Sequence, residues 1–149
     1  MNFNLIPPAI IHYSDNIPEG VGGYAKLFYV RIRTKYKGTD VGILMHELLH
    51  VKQFYALLFV WLCICTAFAV RVEAEYWVLG LALMPLGFVI HPLLYTIIPE
   101  YKLSCEVECY KEQAKHYDDD RLPKFAGYIS RDYGLKITEE AALELLREA

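Results

Sequence analysis

Two histidines four residues apart, with a glutamate next to the first, are the side chains most capable of chemistry in this chain. They form the stretch His46-Glu-Leu-Leu-His50. Positions i and i+4 of a helix lie on one face, so both imidazoles can bind one zinc ion at about 2.0–2.1 Å. Zinc lowers the pKa of a bound water to about 7, and Glu47 is placed to accept its proton as general base. The stretch therefore predicts a zinc-dependent hydrolase of peptide bonds.

A third protein ligand is expected from a later helix, because a catalytic zinc site combines three protein ligands with one open position. The other histidines are isolated, whereas the helix predicted around residues 101–113 offers Glu106 and Glu108. Residues two apart are separated by about 200° around a helix, so only one can face the metal. Glu106 shares a largely apolar stripe that should pack inward, while Glu108 lies among charged residues. We therefore expect Glu106 to be the ligand, with Glu108 as the fallback.

Four neighbouring side chains on the same predicted helix have two interpretations each. Tyr110 and Gln113 lie one and two turns beyond Glu106, where either can hydrogen-bond a metal-bound histidine or the substrate oxyanion. Packing is the simpler interpretation of both. Cys105 and Cys109 can be read as a metal pair, but small packing residues on a helix are the favoured interpretation. The four cysteines do not form the pattern of a disulfide framework.

The hydropathy pattern predicts the elements that must hold these groups. Residues 27–36 alternate apolar and basic side chains, which indicates a strand directly before the motif. Thr39 or Asp40 is expected to cap a motif helix over residues 41–53. A substrate peptide is expected to pair with strand 28–36 by strand addition. The alternative interpretation of the motif is a pair of unrelated histidines on an ordinary helix.

Two apolar runs separate the motif helix from the glutamate helix. Residues 54–70 carry no charge, and residues 76–98 reach the roughly 20 apolar residues that a membrane-spanning helix needs. We expect a membrane hairpin, because so short a chain has little else to cover two apolar helices. Basic residues cluster on the motif side, which places the active site at the cytoplasmic face. The alternative is a buried hairpin in a soluble cytoplasmic protein.

Both motif helices resemble those of known zinc peptidases. The stretch His46-Glu-Leu-Leu-His-Val-Lys-Gln53, followed by Glu106-Val-Glu-Cys-Tyr-Lys-Glu-Gln113, is similar to small zinc-peptidase-like proteins of phages and bacteria. Their second helix has the pattern Glu-x-Glu-Ala-Tyr-x-x-Gln, so Cys109 stands where alanine is usual. The resemblance covers residues 42–53 and 101–145. It implies a glutamate-type zincin (gluzincin) fold and hydrolase activity.

A second resemblance concerns topology. HtpX-like and CaaX-processing membrane zinc peptidases also place an apolar helical hairpin between the His-Glu-x-x-His helix and the glutamate helix. In those proteins the glutamate begins a Glu-x-x-x-Asp pattern whose aspartate orients a histidine. This chain has Tyr110 at the position of the aspartate, so the resemblance does not supply the residue that orients the histidine.

Length and charge limit the remaining possibilities. The 149 residues fit one domain, 55% are hydrophobic, and a net charge of −3 gives no indication of nucleic-acid binding. The first residues lack the pattern of a cleavable signal peptide.

The expected fold is α+β and mainly α: a minimal zincin with a short sheet and an apolar hairpin at 54–98. Expected partners are a peptide or protein substrate and membrane lipid, while oligomeric state stays open. The alternative function is a non-enzymatic membrane or phage-associated interaction protein with a structural or degenerate metal site.

Overall fold

A small sheet precedes a set of helices in the computed structural model, which describes residues 7–71 and 77–148. The strands are β1 (Ile10–Tyr13), β2 (Gly23–Lys26) and β3 (Tyr29–Ile32). Their order is β1-β3-β2, with β3 parallel to β1 and antiparallel to β2. The described chain is therefore α+β and mainly helical, with a mixed three-stranded sheet.

The strand before the motif is shorter than predicted and has no free edge. Val30 and Ile32 point into the core, as their alternation predicts. The strand ends at Ile32, because the Arg33 side chain bonds three loop carbonyls and residues 34–36 form a 3-10 turn. β3 lies between β1 and β2, so both of its edges are paired. The prediction that strand 28–36 pairs with a substrate is therefore wrong.

Helix α1 (Val41–Arg71) carries the motif and the first apolar run without interruption. Of the two predicted caps, Asp40 performs the role: its Oδ1 accepts a hydrogen bond from the Ile43 amide at 3.0 Å. No glycine or proline separates the motif from Phe54 onward, so the two predicted segments form one helix of 31 residues. At 1.5 Å per residue, α1 is about 46 Å long.

The second apolar run consists of two short helices, α2 (Trp77–Leu83) and α3 (Gly87–Ile97), joined by a 3-10 turn at Met84–Leu86. The turn contains Pro85, where the sequence predicts a kink. Both helices pack closely on α1 at glycines: a Cβ at Gly80 would lie 2.8 Å from the Ala69 Cβ, and one at Gly87 would lie 2.7 Å from Leu58. The described residues of these helices and of α1 after residue 53 thus form an apolar helical hairpin.

The remaining helices are α4 (Pro99–Ala114), α5 (Leu122–Asp132) and α6 (Glu139–Arg147). Thr138 caps α6 as predicted, since its side chain accepts from the Ala141 amide at 3.2 Å. Helices α4 to α6 share a core centred on Phe125 and Ile129. Helix α4 also packs along α1, and this contact places its glutamates beside the motif.

Candidate metal centre

Three side chains from two helices converge at the contact between α1 and α4. The Nε2 atom of His50 lies 3.3 Å from Oε1 of Glu106, and Nε2 of His46 lies 3.6 Å from Oε2 of the same carboxylate. The two imidazole centroids are 5.1 Å apart. Glu106 is completely buried. The structure therefore brings together the two motif histidines and the glutamate that helix periodicity favours.

These separations match the requirements of a bound metal ion. Ligand atoms at 2.0–2.1 Å from a tetrahedral zinc ion are about 3.3 Å apart, and each imidazole Nε2 lies near this distance from one of the two carboxylate oxygens. The Oε2 atom of Glu106 is buried without a hydrogen-bond partner. A buried carboxylate oxygen without a partner is costly, and a cation between it and the two imidazoles would remove that cost. The residues present therefore fit a zinc ion.

Glu108 lies outside this cluster, on a different face of α4 from Glu106. Its side chain is exposed, and its Oε2 accepts a hydrogen bond from the Gln53 amide nitrogen at 3.0 Å. Cys109, by contrast, lies on the same face as Glu106 and is fully buried. Its sulfur and one ring nitrogen of each motif histidine all lie within 4.8 Å of one another. A thiol is thus a possible additional ligand, a role that the sequence analysis set below packing.

Glu47 is buried on α1 beside the edge strand β2. A Cβ built on Gly23 would lie 3.1 Å from Oε1 of Glu47 and 3.0 Å from the carbonyl oxygen of Arg31. A larger residue at position 23 would therefore collide with the carboxylate or with the neighbouring strand. Gly23 brings the backbone of β2 directly against Glu47. β2 is paired only to β3 among the described strands, so its other edge is unpaired, and Glu47 packs against the face of β2 at Gly23.

Burial and mutual charge set the protonation states of the cluster. Burial and the nearby His50 lower the pKa of His46 to about 4, while burial raises the pKa of Glu47 to about 7. Burial disfavours charge on His50 as well, but Cys109 and Glu106 outweigh it and raise the pKa of His50. Burial also disfavours charge on Glu106, yet His50 and His46 hold the pKa of this carboxyl below its usual value. In the metal-free chain the Glu106 carboxylate thus faces a neutral His46 imidazole and a charged His50 imidazole.

Tyr110 and Gln113, predicted as hydrogen-bonding partners of the site, both lie beside His46 and both bond tyrosine hydroxyls. The ring of Tyr110 stands edge-on to His46 with centroids 4.5 Å apart, and its hydroxyl bonds the Tyr133 hydroxyl at 2.8 Å. The amide of Gln113 donates to the Tyr117 hydroxyl at 3.0 Å. Gln113 is also a hydrogen-bonding neighbour of the His46 ring, although no bond to the buried Nδ1 of His46 is well formed. Packing is therefore the observed role of Tyr110 beside the cluster.

Two residues at the cluster were missed by the sequence analysis. The Tyr95 hydroxyl, from α3, donates a hydrogen bond to Oε1 of Glu106. The Gln53 side chain contacts Nδ1 of His50 through its Oε1 at 3.1 Å. Each has a signal in the sequence: Tyr95 is one of few polar residues in an apolar run, and Gln53 lies one turn after His50. The hairpin is thus connected directly to the carboxylate of the site.

Comparisons with known proteins do not assign this chain to a family. No family model, curated protein or solved structure matches it. The resemblance to small zinc peptidases stays a prediction from two short motifs. The distances, burial and chemistry of the cluster are therefore the basis for inferring a function.

Proposed function

We propose that this chain is a zinc-dependent metallopeptidase in which His46, His50 and Glu106 hold the metal. The observation that carries the proposal is the convergence of two imidazole nitrogens on one buried carboxylate, at 3.3 and 3.6 Å. Two histidines and one glutamate are a ligand set of catalytic zinc sites, which keep a further position open. When bound, zinc polarises the scissile carbonyl and activates water.

Glu47 is the proposed general base. It follows His46 directly in the sequence, is buried, and lies against the backbone of β2 at Gly23. A carboxylate in this place takes a proton from the attacking water and passes it to the departing amine. No other acidic residue among the described residues of α1 is available for the role.

The open edge of β2 is the proposed docking place for the substrate. An extended peptide can add to a free sheet edge through main-chain hydrogen bonds. Gly23 lies on β2 and touches Glu47, so a peptide on this edge would pass close to the base. The proposed substrate-binding strand is therefore β2 and not β3, whose two edges are both paired.

The proposal is tested by hydrolysis of an unstructured protein such as casein with the purified chain in detergent micelles. We expect cleavage that stops when a chelator removes zinc and resumes when zinc is restored. Cleavage that is unaffected by chelation would indicate a contaminating or metal-independent activity. No cleavage of any unstructured protein or peptide pool by the zinc-loaded chain would contradict the peptidase assignment.

The apolar hairpin is proposed to insert into a bilayer. Residues 41–71 and 77–97 are long and apolar enough to cross a membrane, and only 17% of the most apolar window of each is buried by the chain. Large side chains such as Phe59, Leu93 and Ile97 are more than half exposed. A hairpin that formed the core of a soluble domain would have these side chains covered. The motif and α4 would then lie at the cytoplasmic surface, as the distribution of basic residues favours.

Membrane insertion predicts that the chain floats with lipid vesicles in a density gradient and resists extraction at high salt or alkaline pH. Replacing Phe59 and Leu93 together by lysine should reduce flotation strongly, because each charge opposes insertion. Exchange of the half-buried Glu112, which lies in the polar helix α4, for glutamine should leave flotation unchanged. A chain that stays at the bottom of the gradient as a monodisperse monomer without detergent would contradict insertion.

A purely structural metal site is the second candidate function, and Cys109 is the observation in its favour. The thiol is fully buried and lies within 4.8 Å of both histidine ligand atoms. If Cys109 joined His46, His50 and Glu106, four protein ligands would close the site, as in structural zinc centres. The chain would then be a non-enzymatic membrane-associated interaction protein.

A further inference from the structure

We propose that Gln53 is a positioning residue that holds His50 with Nδ1 turned away from the metal and Nε2 turned toward it. Glu108 supports this role by holding Gln53. The inference rests on the proposed function, because it concerns the same metal site. It also assigns a role to Glu108, the carboxylate that lies outside the ligand cluster.

The hydrogen bonds of Gln53 fix which end of its amide faces His50. The amide nitrogen donates to the Cys105 carbonyl oxygen at 3.2 Å and to Oε2 of Glu108 at 3.0 Å. Both partners can only accept, since one is a carbonyl and the other a carboxylate. If the amide were flipped, its oxygen would face two acceptors. The oxygen of Gln53 therefore faces Nδ1 of His50, at 3.1 Å.

This orientation of the Gln53 amide determines which ring nitrogen of His50 carries a hydrogen. An amide oxygen only accepts, so Nδ1 of His50 must carry a proton to make the bond. Nε2 then remains as the nitrogen that can give its lone pair to a metal. Nε2 is also the atom that lies 3.3 Å from Oε1 of Glu106. The hydrogen bonds from Gln53 to Glu108 and to His50 thus connect an exposed residue of α4 to the histidine whose Nε2 faces the metal.

The two motif histidines differ in this respect. The buried Nδ1 of His46 makes no well-formed hydrogen bond in the described structure, although Gln113 neighbours the ring. Nδ1 of His50 is held by an amide that is itself anchored at two points on α4. A partner behind a ligating histidine typically contributes 10–100-fold in metal affinity. We therefore expect the zinc affinity of the site to depend on Gln53.

The test compares the zinc dissociation constants of variants in micelles by competition with a chelator. Gln53→Met keeps the length of the side chain but has no amide, and it should weaken zinc binding about 10–100-fold. The double exchange Gln53→Glu with Glu108→Gln reverses the pair: the new amide donates to the new carboxylate, which still accepts from His50 but loses the bond to the Cys105 carbonyl. Zinc binding by this double variant should be clearly tighter than that of Gln53→Met. Glu112→Gln, a partly exposed residue of α4 that pairs with Lys115, is the matched control.

A second measurement detects the proton on Nδ1 of His50 directly. In chain labelled with ¹⁵N-histidine, His50 Nδ1–H should give a slowly exchanging proton signal in the metal-free wild type and in the double variant, and lose it in Gln53→Met. Wild-type zinc binding that is retained within twofold by Gln53→Met would overturn this inference alone. A double variant as weak as Gln53→Met would do the same, because it would assign the loss to helix contacts. A wild type that binds no zinc would overturn this inference together with the proposed function.

Discussion

Replacing Glu47 by glutamine is expected to lower kcat for peptide hydrolysis by about 10²–10⁴-fold, the range that a general base contributes. The amide has the same shape as the carboxylate and fits the same space beside Gly23, so the fold should be retained. Zinc content should be unchanged, because Glu47 is not among the proposed ligands. The measurement is kcat with zinc-loaded chain, alongside the zinc-to-protein ratio of the same samples.

The control for this experiment is Glu112→Gln, which removes a carboxylate from the solvent side of α4. Glu112 pairs with Lys115 at 2.6 Å and lies outside the metal cluster, so kcat should be unchanged. If Glu47→Gln bound zinc normally and hydrolysed peptide at the wild-type rate, Glu47 would not be the base. The peptidase mechanism would then lack its proton acceptor.

Exchange of Glu106 for glutamine is expected to weaken zinc binding by more than about 100-fold, beyond the 10–100-fold range of a residue that acts through a ligand. Glu106 is completely buried, and its carboxylate faces both histidines. A neutral amide has no charge to offset that of the metal. The measurement is a chelator competition titration in micelles, with circular dichroism to verify that the helices are retained.

Glu108→Gln is the matched variant for this prediction, since it is the same change two residues away. Its side chain is exposed and bonds Gln53, and a glutamine at 108 can still accept that bond through its amide oxygen. Zinc affinity should fall by less than about 10-fold. If Glu108→Gln abolished zinc binding while Glu106→Gln retained it, the assignment of the third ligand would be reversed.

Helix periodicity was sufficient to predict which side chains face this site, because the face of a helix on which a residue lies depends only on its spacing from nearby residues. The i and i+4 spacing puts both histidines on one face of α1. The apolar stripe around Glu106 correctly indicated an inward-facing side chain, while the charged neighbours of Glu108 indicated an exposed one. The helix N-caps could also be predicted from neighbouring residues, since Asp40 and Thr138 each accept the expected amide hydrogen bond.

What the sequence did not supply depends on contacts between distant segments. The central position of β3 follows from its pairing with β1, which no local pattern encodes. The bond from Tyr95 to Glu106 requires α3 to pack beside α4, and the role of Gln53 requires the Cys105 carbonyl on another helix. The closeness of Cys109 to both histidines likewise follows from the contact between α1 and α4. Each of these features becomes visible only once the helices are assembled.

The contact between Tyr95 and Glu106 has a consequence for how the two halves of the chain depend on each other. Tyr95 belongs to the proposed membrane hairpin, whereas Glu106 belongs to the polar part of the chain. The hydroxyl donates to Oε1 and leaves Oε2 free of hydrogen bonds beside His46. Packing of the hairpin therefore orients the carboxylate in the arrangement that a metal requires.

The most direct measurement of the central claim is X-ray absorption at the zinc edge on the zinc-loaded chain in micelles. If two histidines and Glu106 hold the ion, the first shell contains only nitrogen and oxygen at about 2.0–2.1 Å, with imidazole scattering beyond it. Glu106→Gln should lose this signal with the zinc. A chain that retains no zinc would contradict the metal site altogether. A sulfur neighbour at about 2.3 Å would place Cys109 on the ion and contradict the open, catalytic arrangement.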